Sequence, residues 1–185
     1  MAQDRTRKIA VAGVLAAISI ILGLTRWGFI PWFLGASLTI MHVPVIIGAI
    51  LEGPEVGFAI GLIFGVFSMI QAAVAPNGPT DVWFTNPIIS VLPRLFIGPV
   101  AWLVWRSLQR SPIPGLILSS AAGSLTNTFL VLGIIGLYGL IPWPVIGSVI
   151  VANGLPEMVL SILITVAVIS AWRGYVVGRK KGSNL

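Results

Sequence analysis

The chain has 185 residues, 57% hydrophobic and 9% charged, with a mean hydropathy of +1.03. A water-soluble domain of this size carries charge on about a quarter of its residues, so most of this surface is suited to lipid. Eleven Lys and Arg against five Asp and Glu give +6, but the cations gather at the ends and between apolar runs, which excludes a phosphate-tracking stripe and a nucleic-acid partner. With no Cys and one His, disulfides, thiolate nucleophiles and a multi-histidine metal site within one copy are excluded, and no cofactor is implied.

The basic start, Met1 to Lys8, leads into apolar sequence with no cleavage site before a soluble domain, and reads as the start of a first membrane span. A crossing helix needs roughly 20 apolar residues. Uncharged stretches bounded by turn residues predict six spans, near 9–24, 38–51, 56–75, 87–105, 114–137 and 145–172. The second is short, and Glu52-Gly53-Pro54-Glu55 and Pro76-Asn77-Gly78-Pro79 mark two of the turns. Residues 111–156 carry no charge, and only the turn-rich stretch with Pro142 and Pro144 divides them. The fold expected is a single all-α integral membrane domain over 1–185, with six transmembrane helices and both termini on one side. Arg5, Arg7, Lys8, Arg106, Arg110, Arg173, Arg179, Lys180 and Lys181 fall on that side against Arg26 on the other, so both termini are expected in the cytoplasm. Aromatic belts agree: Trp27, Trp32, Trp83, Tyr138 and Trp143 at the outer interface, Trp105, Trp172 and Tyr175 at the inner.

Small residues predict close helix contacts. Gly57, Gly61 and Gly65 form a strip suited to internal packing, and Ala12 and Ala16, with Gly13 and Ala17 one position on, form a second. Because no GxxxxGK[ST] loop is present to hold a nucleotide, the Ala12/Ala16 strip is expected to dock a different subunit.

Ionisable groups at membrane depth are costly and face a cavity or a partner. Arg94 and Glu157 are two such groups. Each follows a proline, and Pro93 and Pro156 free the carbonyls of Ile89 and Ala152 by removing an N–H. Asn86, Ser90 and Arg94 share one helix face, as do Asn153, Glu157 and Ser161, and Ser120, Ser124 and Asn127 or Thr128 form a further strip. Followed through alternating span directions, His42, Gln71, Arg94, Asn127 and Asn153 fall in the outer half, which predicts a polar pocket beneath loops that include Trp83. Arg94 and Glu157 either contact a ligand or neutralise each other. Catalysis is disfavoured: the lone His lies beside Pro44 on a short span, HExxH is absent, and Asp81, Glu52 and Glu55 are scattered. Binding and transport fit better than an enzyme.

The stretch Thr39-Ile40-Met41-His42-Val43-Pro44-Val45-Ile46-Ile47-Gly48-Ala49-Ile50, with the following Glu52-Gly53-Pro54 and the glycine helix, resembles the substrate-binding S components of energy-coupling factor vitamin transporters. So does Phe84-Thr85-Asn86-Pro87-Ile88-Ile89-Ser90-Val91-Leu92-Pro93-Arg94 with Gly98 beyond it, and the Ala12-xxx-Ala16 strip looks like the motif that docks such proteins on EcfT. The resemblance implies a multi-pass protein of a prokaryotic plasma membrane that captures a vitamin from outside and works with EcfT and two cytoplasmic ATPase subunits. The segments look most like pantothenate-type members, and a buried guanidinium suits a carboxylate. Riboflavin, folate or cobalamin, stacked on tryptophans, and a solitary small-molecule carrier or ligand-free scaffold remain alternatives.

Overall fold

The computed structural model describes residues 2–25, 27–31, 37–76 and 78–174; Arg26, Trp32, Asn77, Tyr175, Arg179, Lys180 and Lys181 lie outside them. In chain order the elements are α1 (Ala2–Leu24), strands β1 (Phe29–Pro31) and β2 (Ser37–Thr39), α2 (Val43–Glu52) and α3 (Pro54–Val74). A 3₁₀ segment (Pro79–Thr85) follows, then α4 (Pro87–Ser90), α5 (Leu92–Ser107) and α6 (Pro112–Leu137). The last elements are α7 (Trp143–Val149), a π turn (Ile150–Gly154) and α8 (Leu155–Arg173).

Five helical stretches are long and apolar enough to cross a membrane: Asp4–Leu24, Pro54–Val74, Pro87–Ser107, Pro112–Leu137 and Trp143–Arg173. They match the first, third, fourth, fifth and sixth expected spans. The expected second span, 38–51, is not one continuous helix. Ser37–Thr39 is a strand paired antiparallel with Phe29–Pro31, Ile30 opposite Leu38, and the helix begins only at Val43, with Pro44 in its first turn. Its 10 residues reach about 15 Å, half the roughly 30 Å hydrocarbon core.

A non-helical segment at such depth survives only when protein surrounds it. Leu38, Met41 and His42 are buried, the Met41 carbonyl accepts from Ser19 Oγ at 3.2 Å, and the Ile40 N–H donates to the Gly28 carbonyl at 3.0 Å. The apolar sequence of α2 is likewise explained: Val43 to Ile50 are all buried, enclosed by α1, α3, α5 and α8.

The glycine strip packs α3 on α5. A Cβ on Gly98 would lie 2.6 Å from the Gly57 Cα, one on Gly65 2.8 Å from the Val91 Cα, and one on Gly61 would strike the Arg94 carbonyl. Farther along, α6 and α8 meet through hydroxyls, Ser120 Oγ lying 2.9 Å from Ser161 Oγ and 3.1 Å from Thr165 Oγ1. Both prolines act on their helices as expected: the Pro93 helix breaks at Val91, and the π turn precedes Pro156.

Gly98→Ala forces a methyl group into backbone and should lower stability by about 1–3 kcal/mol, read as a lower midpoint of thermal unfolding in detergent. Gly13→Ala, where a Cβ meets nothing within 4 Å, should stay within about 0.5 kcal/mol of the parent. Equal effects of the two changes would remove the α3/α5 contact from the account of stability.

Candidate functional site

Arg94 is held by the defect that Pro93 creates. The Ile89 carbonyl, deprived of its helical donor, accepts from Arg94 Nη1 at 2.6 Å. The guanidinium lies 5.5 Å from the centroid of the Phe64 ring and 5.2 Å from that of Phe84, so two aromatic faces stabilise a cation that is only 5% exposed. Its height in the bundle is set by Gly61, whose missing side chain lets α3 lie directly on the Arg94 backbone. Arg94 Nε has no partner.

The other charged group is fixed separately. Glu157 Oε1 accepts from the Thr39 N–H at 2.7 Å and from Thr39 Oγ1 at 3.1 Å, which ties the β2 strand to α8 across 118 residues of sequence. Arg94 and Glu157 are both buried in the bundle. They form no direct ion pair: among the described residues such pairs join Arg7 to Glu52 and Lys8 to Glu55. Of the two roles left open for Arg94, mutual neutralisation by contact with Glu157 is therefore not the arrangement found.

His42 sits at the N-terminus of α2, with Nε2 3.1 Å from Ser124 Oγ on α6 and Nδ1 unpartnered. Asn127, one turn beyond Ser124, has Oδ1 unpartnered. Buried polar atoms are almost always satisfied. Three of the four such exceptions among the described residues are on Arg94, His42 and Asn127, carried by α5, the start of α2 and α6, which pack on one another. Together they offer an N–H donor, a carbonyl acceptor and a ring nitrogen able to play either part.

The remaining expected site residues divide. Asn153 is partly buried in the π turn, whose Gly154 lies close against Thr128 on α6. Gln71 Nε2 donates to the Gly23 carbonyl at 3.1 Å and so joins α3 to α1. Asn86 Oδ1 accepts from the Ile88 N–H at 2.9 Å and caps α4. Trp83 packs with Phe84 against the small cluster of Ile89, Val131 and Ile135. Of the Ala12/Ala16 strip, Ala16 is 4% exposed and Ala12 is partly buried against the core. Ala10, Gly13 and Ala17 are small residues that α1 exposes. Thr39, Phe64 and Phe84 were not marked by any polar pattern; Ser124 lay on the expected α6 strip.

A membrane helix bundle with a buried cation, unpartnered polar atoms around it, and a hairpin pinned to its last helix has the makings of a small-molecule-binding membrane protein. The family model described as ECF transporter, substrate-specific component, matches residues 7–169, and the chain belongs to that family. It is a multi-pass cell-membrane protein. Among curated relatives it is similar to "Pantothenic acid transporter PanT" of Lactococcus lactis subsp. cremoris (strain MG1363), 27% identical over 191 residues that cover 92% of this chain and 96% of that protein. It is also similar to "Pantothenate transporter PanT" of Leuconostoc mesenteroides subsp. mesenteroides, 29% identical over 115 residues that cover 60% and 56% of the two chains.

Glu157→Leu leaves both Thr39 donors without their acceptor and should cost about 1–3 kcal/mol of stability. Hydrogen exchange should locate the loss, with the Thr39 amide losing protection in Glu157→Leu and keeping it in Arg94→Gln. Unchanged protection at Thr39 in both variants would show that Glu157 does not hold the hairpin.

Proposed function

We propose that this chain is the pantothenate-binding substrate component of an energy-coupling factor transporter. The observation that carries the reading is the buried guanidinium of Arg94, which keeps an unused N–H among unpartnered polar atoms. Pantothenate presents a carboxylate, an amide and two hydroxyls. The carboxylate would take charge-assisted hydrogen bonds from Arg94, the Asn127 oxygen would accept from the amide or a hydroxyl, and His42 and Asn153 would fix the remainder. Glu157 acts here through Thr39, keeping the hairpin over the cluster. The printed names of both relatives support the choice of vitamin.

The chain itself is not an enzyme on this reading. Energy comes from two ATPase subunits through EcfT, and the termini face the cytoplasm, as the excess of cations at that end supports. Docking on EcfT uses the face of α1 that carries Gly13 and Ala17, since Ala12 and Ala16 are occupied within the fold.

Titration of the detergent-purified protein with pantothenate tests the reading. Arg94→Ala should weaken binding roughly thirty-fold or more, equivalent to about 2–5 kcal/mol, and Arg94→Lys should recover part because it restores charge without the planar fork. A folded Arg94→Ala protein with parental affinity, or a parent that prefers riboflavin, folate or cobalamin, overturns it.

For the docking face, Ala17→Trp should reduce co-purification with EcfT and the ATPases while leaving pantothenate affinity within about twofold, because the side chain points away from the bundle. Loss of vitamin binding in that variant would assign Ala17 to the fold instead.

A further inference from the structure

At the end of the molecule that carries the start of α1 and the end of α8, a groove of about 490 Å³ opens between the α2/α3 turn, the end of α5 and the end of α8. It is far along the bundle from Arg94 and plays no part in the site above. Its walls include Trp102, Trp105, Gln109 and Arg173, and its floor is the turn at Glu52 and Gly53, where a Cβ would meet nothing within 4 Å.

The charges around this groove are arranged rather than scattered. Arg173 lies 5.2 Å from the centroid of the Trp105 ring, and its Nη2 donates to the Ile50 carbonyl at 3.2 Å. That carbonyl belongs to the last turn of α2, where helical donors run out. Stacking and one bond thus orient a planar fork whose other N–H groups are spare. Arg106 lies 5.0 Å from the ring of Trp102, the second tryptophan of the wall. The carboxylate in the groove, Glu52, is 7% exposed and already paired with Arg7 at 2.7 Å, so its charge is cancelled and the groove stays net positive. Leu103 and Trp172, next in sequence to the wall residues Trp102 and Arg173, are 61% and 69% exposed, apolar surface suited to acyl chains.

We propose that this groove binds the phosphate of an anionic membrane lipid, with Arg173 donating to the phosphate oxygens, Arg106 adding a second positive charge, and the acyl chains lying along Leu103 and Trp172. Basic pockets between helices at the cytoplasmic interface recognise anionic head groups by this combination of charge and donors. The tryptophan walls and apolar flank favour a lipid over free phosphate, which would gain nothing from either.

The full-length protein, stripped of lipid in detergent, can be titrated with short-chain phosphatidylglycerol, short-chain phosphatidylcholine and inorganic phosphate, with retention read by native mass spectrometry. Phosphatidylglycerol should bind best, and Arg173→Gln should weaken it about fivefold. Arg106→Gln, which holds no backbone group in place, should weaken it to a similar extent, and both variants should still titrate with pantothenate as the parent does. Equal retention of the two lipids, full displacement of phosphatidylglycerol by an equal concentration of inorganic phosphate, or parental lipid binding in both variants overturns the proposal. So does release of the ATPase-bearing module by Arg173→Gln with lipid retention unchanged, because the groove would then be a protein contact.

Discussion

In hydrocarbon no water completes an unfinished hydrogen bond, and this constraint shapes every irregular feature of the bundle. The clearest case is the Pro93/Arg94 pair. Proline frees the Ile89 carbonyl, and the next residue's guanidinium returns to take it at 2.6 Å. A helix defect and a buried charge, each costly alone, stabilise each other. The arrangement uses one side of the guanidinium for the backbone and leaves Nε for something else.

The same constraint explains why the glycines matter to the site and not only to packing. Gly57, Gly61 and Gly65 let α3 approach α5 until backbone meets backbone, with Gly61 directly on the Arg94 carbonyl. That contact sets the depth of Arg94 and brings Phe64, one turn farther along α3, within 5.5 Å of the cation. Packing thereby positions the charge: a larger residue at Gly61 would move the cation as well as the helix.

On the opposite side of the cluster, an extended segment descends into the bundle and only then becomes α2. Its polar groups are satisfied by Ser19, Gly28 and Glu157, which belong to or follow α1 and α8, so the hairpin joins elements remote in sequence. Glu157 consequently differs from Arg94 in role. Glu157 holds the Thr39 N–H, and Arg94 holds the Ile89 carbonyl. Neither forms an ion pair with the other.

Composition and run length by themselves determined that this is a helical membrane protein, and prolines next to charged residues located the two irregular helices. Hydropathy and proline chemistry are local properties, read residue by residue. The polar strips also brought Arg94, His42, Asn127 and Glu157 forward, because an ionisable or amide group inside an apolar run stands out against its neighbours. Tertiary structure decided what these groups do. Gln71 and Asn86 stand out in sequence as polar groups, and in the fold each makes a hydrogen bond to backbone, at Gly23 and Ile88. Ala12 and Gly13 are adjacent in sequence and equivalent by size, but the rotation of α1 turns Ala16 and Ala12 inward and Gly13 and Ala17 outward. The stretch 38–51 is apolar through its helical part, where Val43 to Ile50 are all buried in protein, and hydropathy cannot tell protein surroundings from lipid. No polar pattern marked Thr39, since its partner Glu157 lies 118 residues away and only the folded bundle brings them together.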